Sequence, residues 1–553
     1  MFDIIIRNGS IVDGTGMPAY KGDIGIEDGR LTRVGGKLNA EARHEIDASG
    51  QIVAPGFIDP HTHFDAQLFF DAEARPAMEH GITTVIHGNC SLSLAPIKAA
   101  DRPTIVGMFQ QIEEMPDAAF EGAFQWKWET FPDFVAALRG QVALNVAPLV
   151  GHSPIRIWVM GKDAAKRAAT PDEILKMQEL LRECLEAGAV GLSTSFVDVD
   201  ENLAPVPCRF AHWDELDALA AVLGEFGRML QVVPEFYNTD ITLARVDQLA
   251  ELSLSHGIPT SFSPLFDFDG TPENIPRVLA RVAEQFKRGA RVWPQVQTRP
   301  VDISFNLEMP SLYFISLPIW YMMMRLPHDE AIAMLSNEDS RNALIAAAEQ
   351  GGDTTRFATL RVRDSKDASL IGRTLAEIAE ERGGTPASLL IDLSLEEDLA
   401  IHFLAEHMGH ENSERIGPVL ANEFVHVGAS DGGAHIQSFA TYGDTGYLFS
   451  EFVRKGNYLT LEHAIRKITR DPAQIWGLPD RGELRVGMAA DVVIFDSNAI
   501  ARGEELPVSD MPGGGMRYVR SSEGVGTVIV NGEVAWSAAG GYTDSRSGVI
   551  INA

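Results

Sequence analysis

Two histidines one residue apart, His61 and His63, end the apolar run Ile52-Val-Ala-Pro-Gly-Phe-Ile-Asp-Pro. Alternate side chains of a strand share a face, so both imidazoles point the same way and can hold one metal ion between them. Neutral imidazole is the commonest nitrogen ligand for zinc and its neighbours. Further donors follow other apolar runs: Cys90 in His87-Gly-Asn-Cys90, Glu235 in Leu230-Gln-Val-Val-Pro-Glu235, and Asp431 in Ala429-Ser-Asp431-Gly-Gly-Ala-His435. A metal held by such groups would bring the pKa of its water toward about 7, and Asp431 could accept that proton and pass it to a leaving amine. The chemistry this points to is metal-assisted hydrolysis.

These residues need a scaffold that brings distant strand ends together. Strand-like runs occur at Ile52–Asp59, Thr83–His87, Ala143–Leu149, Ala189–Ser193, Met229–Pro234, Pro259–Ser263, Arg291–Gln297 and Phe424–Ser430. Helical patterns such as Pro171–Ala187, with Thr170 as its N-cap, and Trp213–Phe226 separate several of them. Eight such units predict a metal-containing (β/α)8 TIM barrel over residues 55–480, whose strand ends gather catalytic groups at one mouth. The seventh connection, about 298–421, is too long for a simple loop and predicts a helical insertion at the active-site rim, placed to form a lid. Short alternating runs in 1–54 and again in 481–553, such as Asp3–Arg7 and Gly526-Thr-Val-Ile-Val-Asn-Gly, predict a small β-sandwich domain built from both termini.

Composition narrows the partners. A formal net charge of −31 argues against nucleic acid and anionic membrane, leaving a small-molecule substrate and leaving a homo-oligomer open. Three scattered cysteines suit a reducing cytosol, the first residues carry Asp3 and Arg7 where a secretory apolar core would begin, and no apolar run approaches the length of a bilayer span. The expectation is a cytoplasmic enzyme.

Each candidate has a plainer reading. Asp431 could cap a helix, Cys90 could be a small buried hydrophobe, and Glu235 could be a solvated loop acid. His152, in Gly-His-Ser after the third strand, fits either support of the barrel mouth or contact with substrate. Arg299, in Gln297-Thr-Arg-Pro, could grip a substrate carboxylate or form an ordinary salt bridge. His435 stands four residues after Asp431, as a substrate contact or a cap. His402, His407 and His410 are taken as surface residues, and the aromatic and Met-rich stretch Tyr313–Met324 as core or lid packing.

The segments Ile6-Arg-Asn-Gly-Ser-Ile-Val-Asp-Gly-Thr-Gly, Ala54-Pro-Gly-Phe-Ile-Asp-Pro-His-Thr-His-Phe-Asp-Ala-Gln, Gly88-Asn-Cys-Ser-Leu-Ser-Leu-Ala-Pro, Val150-Gly-His-Ser, Ser430-Asp-Gly-Gly-Ala-His and Gly487-Met-Ala-Ala-Asp-Val-Val-Ile-Phe-Asp resemble the amidohydrolase superfamily, and within it the N-acyl-D-amino-acid deacylase (D-aminoacylase) group. The resemblance implies the barrel with its terminal β domain and a metal-dependent hydrolase of N-acyl-D-amino acids. It also implies ligand histidines ending strands five and six and a lysine near strand six. This chain has none of them, reading Leu230-Gln-Val-Val-Pro-Glu235 and Pro259-Thr-Ser-Phe-Ser-Pro there. One divalent ion, zinc first among the candidates, is therefore favoured over two, held by His61, His63 and Asp431 with Cys90 or Glu235. The first alternative keeps the chemistry with a cyclic amide, carbamoyl compound or lactone as substrate. An alternative of another class is a degenerate barrel retained for binding.

Overall fold

The computed structural model describes residues 1–115, 119–120, 125–268, 270–352, 354–428 and 430–552. Among them, eight parallel strands follow one another in sequence order around a barrel: Phe57–Thr62, Ile82–His87, Asn145–Gly151, Gly191–Ser195, Met229–Val233, Thr260–Phe262, Val292–Val296 and His426–Val427. Every neighbouring pair is parallel, from Phe57↔Ile82, where the ladder shifts register twice, to Gln295↔His426. Closure is made by the Thr62↔Gly432 bridge and by His63 N donating to Gly432 O at 2.7 Å, which brings the first and last strand ends together.

The first expected strand, Ile52–Asp59, is two strands. Gly56 separates them: its N–H goes to Asp491 O, and an added Cβ would sit 2.1 Å from Thr83 Oγ1. Ile52–Pro55 leaves the barrel and lies between Phe2–Ile11 and Val492–Phe495. Together with Tyr20–Glu27, Arg30–Val34, Ala42–Asp47, Val525–Val530, Glu533–Ser537 and Gly541–Tyr542 these form one nine-stranded sheet that interleaves both ends of the chain. The eighth barrel strand shrinks to His426–Val427, and Ala429 of the expected Phe424–Ser430 run lies outside the described residues.

Helices cover the barrel where the pattern predicts them. Pro171–Glu186 opens on a capping box in which Thr170 Oγ1 accepts from Glu173 N, and Glu173 reaches back to Thr170 N. Trp213–Phe226 stops at Gly227 in the left-handed region, the usual device for ending a helix without a Cβ clash. No helix among the described residues is long and apolar enough to cross a membrane.

Residues 300–411 with 437–439 form a separate compact unit. It is not wholly helical: Val301–Phe305, His402–Gly409 and Arg361–Asp364 make an antiparallel sheet, joined by helices such as Glu338–Ala348 and Pro386–Glu396. The aromatic stretch is this unit's own core, with Phe314 stacked on Trp320 at 5.5 Å and Trp320 Nε1 donating to Leu344 O. Two of the histidines expected at the surface are drawn inward. His402 pairs with Asn306 at 3.2 Å on the sheet's middle strand, and His410 is buried at 3% exposure where that strand ends. The His407 side chain lies outside the described residues.

Candidate metal centre

His61 and His63 reach the C-terminal mouth of the barrel on the first strand, and Cys90 arrives from the turn after the second. One donor atom from each lies within 4.8 Å of the others. Cys90 Sγ is 3.5 Å from His61 Nε2 and 3.9 Å from His63 Nε2. Asp431, carried by the segment after strand eight, places Oδ1 3.2 Å from His61 Nε2 and 3.8 Å from His63 Nε2. Both imidazoles are buried, whereas the Asp431 side chain keeps 29% of its exposure and so faces both the cluster and the open mouth.

The far side of each ring is also occupied. His61 Nδ1 lies 2.9 Å from Ser263 Oγ, which accepts from Gln231 Nε2 at 3.0 Å. His63 Nδ1 lies 3.1 Å from Glu113 Oε1. Ser263 Oγ, which can accept or donate, stands beside His61 Nδ1, and a carboxyl oxygen stands at ion-pair distance from His63 Nδ1, so both Nε2 atoms face Cys90 and Asp431, the side from which metal-binding histidines ligate. Strands five and six, which lack histidines, thus supply Gln231 and Ser263 behind His61.

Electrostatics fit a cation. Burial pushes His61 down to about 4, against the pull of Asp431, so the ring is neutral at neutral pH and free to ligate. Burial first, then the charges of Glu113, Asp198, Asp431 and Asp65, push the Cys90 thiol up. Glu113 is raised well above the carboxylate range by burial and by the same acidic neighbours, and burial lifts Asp198 to about 6. A divalent ion held here would reverse this balance and favour the thiolate form of Cys90. Asp431 runs the other way: burial opposes its charge, but hydrogen bonding to His63 and the fields of His61 and His435 hold it below the usual range.

The backbone is bent to reach this arrangement. Cys90, Ser91, Glu114, Asp431 and His435 all adopt positive φ between 50° and 63°, a conformation that costs non-glycine residues and collects at functional sites. Gly433 is required at φ 92°, because a Cβ would stand 2.9 Å from Phe64 Cδ1 and 3.0 Å from His63 O.

The remaining candidates are placed otherwise. Glu235 is turned to Arg245, accepting from Nη2 at 2.8 Å and Nε at 3.3 Å, and does not join the cluster. Both nitrogens of the buried His152 are committed, Nδ1 to Thr194 Oγ1 at 3.0 Å and Nε2 to Glu215 Oε1 at 2.8 Å; Glu215 also binds Arg156. Arg299 is buried against Asp444, 2.9 Å away, and donates to Ser430 O at 2.7 Å, so it braces the segment that carries Asp431. His435 stands 3.6 Å from Glu114 Oε2. Sequence reasoning missed Glu113, Glu114, Ser263 and Glu215. Only Ser263, ending a strand inside the barrel, carried any signal.

A sequence profile of the amidohydrolase family matches residues 44–240 and 331–535. The chain belongs to the amidohydrolase family. It is a metal-dependent hydrolase of carbon–nitrogen bonds other than peptide bonds, and its resemblance to the D-aminoacylase group holds along the whole chain. A D-aminoacylase of Alcaligenes xylosoxydans xylosoxydans is 26% identical over 560 residues, covering 100% of this chain and 97% of the relative. The crystal structure of N-acyl-D-glutamate deacylase from Bordetella bronchiseptica, complexed with zinc and a phosphonate inhibitor that mimics the tetrahedral intermediate, superposes with a TM-score of 0.71 at 27% identity, each chain covered in full. A D-aminoacylase structure described as having a binuclear metal centre, with one-metal activation and second-metal attenuation, gives 0.68 at 25%, again over both full lengths.

Proposed function

We propose that this amidohydrolase is an N-acyl-D-amino-acid deacylase working with a single zinc ion held by His61, His63, Cys90 and Asp431. The observation that carries the reading is the convergence of two Nε2 atoms and Cys90 Sγ within 4.8 Å, with Asp431 Oδ1 3.2 Å from His61 Nε2. A mixed imidazole and thiolate set favours zinc among the available divalent metals. Gln231 and Ser263 behind His61 support one ion, since neither side chain is a habitual zinc ligand. The relatives that act on N-acyl-D-amino acids support the substrate class.

A divalent ion held by His61, His63, Cys90 and Asp431 would supply Lewis-acid polarisation of the scissile carbonyl and a more acidic water at neutral pH. His61 and His63 hold their ring planes through Ser263 and Glu113. Asp431, ionised and partly open to the mouth, takes the proton from the attacking water on one oxygen and delivers it to the departing nitrogen, so one carboxylate serves both half-reactions. Arg299 steadies that carboxylate by fixing Ser430.

Two measurements test this together. Elemental analysis of purified protein should give one zinc per chain, lost on chelation along with activity. A panel of N-acyl-D-amino acids, N-acyl-L-amino acids, hydantoins and lactones should show turnover confined to the first set. Turnover of a hydantoin or lactone alone would move the substrate class, and no stoichiometric metal with no turnover would leave a binding barrel.

A further inference from the structure

The helix Arg102–Ile112 is followed by two adjacent acids that face two histidines, one after the first and one after the last strand of the barrel. Glu113 Oε1 lies 3.1 Å from Nδ1 of His63, after the first strand; Glu114 Oε2 lies 3.6 Å from Nδ1 of His435, after the eighth. Between them His435 N donates to Glu113 O at 2.6 Å. The helix that delivers the pair is anchored by Ile105, Met108 and Phe109, all fully buried, and Glu113 N closes its last turn on Phe109 O at 3.0 Å. Glu113 is therefore presented by a rigid element, not by a wandering loop.

Its chemistry asks for a purpose. The Glu113 side chain is 2% exposed, its ion-pair partner among the described residues is His63, and these two buried atoms, Glu113 Oε1 and His63 Nδ1, face each other with no hydrogen bond to any other group. Burial away from Lys and Arg favours the protonated form of Glu113, and a cation at the centre would draw it toward the carboxylate. The two ligand histidines also differ: His61 rests on the neutral hydroxyl of Ser263, whereas His63 rests on a carboxylate. An imidazole whose Nδ1–H donates to a carboxylate is the more basic donor through Nε2 and is held against ring rotation.

We propose that Glu113 is the positioning residue of His63, fixing its Nδ1–H tautomer and strengthening its Nε2 as the leading nitrogen ligand of the centre. Glu113 touches neither ion nor substrate in this role; it acts through the ring. The inference rests on the metal reading above, so the two must be able to fail separately.

The experiment measures zinc affinity of the full chain by competition with a chromogenic chelator, alongside thermal melting and the pH profile of kcat/KM. The variants are Glu113→Gln, Glu113→Ala, His63→Ala and, as a surface control, Glu225→Gln, whose carboxylate pairs with Arg182 at 2.7 Å. Removing such an outer partner typically costs about 10–100-fold in metal affinity. The expected result is a loss of that size in Glu113→Ala, a smaller one in the isosteric Glu113→Gln, loss of the ion in His63→Ala, and parental affinity in Glu225→Gln. Nitrogen-15 spectra of labelled imidazole in the zinc-free full chain should also show His63 protonated on Nδ1 in the parent and a mixture of tautomers in Glu113→Gln, a readout that a merely structural role would leave unmoved. Parental affinity and an unchanged His63 tautomer in both Glu113 variants, with His63→Ala still losing the ion, would overturn the role of Glu113 and leave the metal reading intact. A parent that binds no zinc, or a His63→Ala variant that binds it normally, would overturn both. If Glu113→Ala fails to fold, Glu113→Gln decides alone.

Discussion

The group formed by His152, Arg156 and Glu215 offers a measurement with a calculable size. Glu215 is 1% exposed; it accepts from His152 at 2.8 Å and closely pairs with the fully buried Arg156. Burial alone would raise its pKa, but His152 and Arg156 outweigh it and bring Glu215 down to about 2. Against an ordinary value of 4.5 in the unfolded chain, that depression corresponds to about 3 kcal/mol of stability at neutral pH. Because the folded pKa is the lower one, this contribution is full above about pH 4.5 and fades as pH falls toward 2, with less than half left at about pH 3. The perturbation is Glu215→Gln, which keeps the shape and removes the charge. With about 2.1 cal/mol/K of unfolding entropy per residue, 3 kcal/mol moves a cooperative transition of this chain by about 3 °C. Calorimetry of parent and variant from pH 7 to pH 3 isolates the effect from the other titrating carboxylates: the gap should be largest at pH 7 and narrow on acidification. A gap that is absent at pH 7, or that stays constant down to pH 3, would refute the assignment of Glu215 as an ionised buried partner.

Other outcomes follow from the centre itself. Asp431→Asn should keep the fold and bind zinc more weakly, having lost one anionic ligand, and with zinc supplied in excess its kcat should still fall by about 10²–10⁴, the usual share of a positioned acid and base; turnover like the parent's would remove Asp431 as the proton carrier. Gly433→Ala should lower zinc affinity, read by chelator competition, because its Cβ would press on Phe64 and the His63 carbonyl. Gly477→Ala has the same sign of φ with open space around it, so it should show only the backbone cost of about 1–2 kcal/mol and bind zinc normally.

What the chain discloses in its linear pattern depends on distance along it. His61 and His63 are visible because one strand places both, and Asp431 because a carboxylate followed by two glycines stands out after an apolar run. The barrel is visible because its strands recur with helices between them. Glu113, Glu114 and Glu215 are ordinary helical acids in sequence, and become buried only when the barrel brings them against His63, His435 and Arg156. The same reasoning offered Glu235 as a ligand and left Arg299 between a substrate grip and a salt bridge. Each suits the mouth by type, yet each is neutralised by a partner, Arg245 ten residues on and Asp444 much farther along, that spacing does not single out. The split of Ile52–Asp59 was hidden because Gly56 interrupts the run without interrupting its hydrophobicity.

The interleaved terminal sheet has a consequence for how the protein is made. Ile52–Pro55 is paired on one side by Phe2–Ile11 and on the other by Val492–Phe495, about 440 residues later. At a synthesis rate of about 5–20 residues per second, that second edge stays open for roughly 20–90 s. An uncovered row of amides and carbonyls is a template for a neighbouring nascent chain. Yield in cells should therefore respond to translation speed and to chaperones that shield strand edges, even where the finished enzyme is stable.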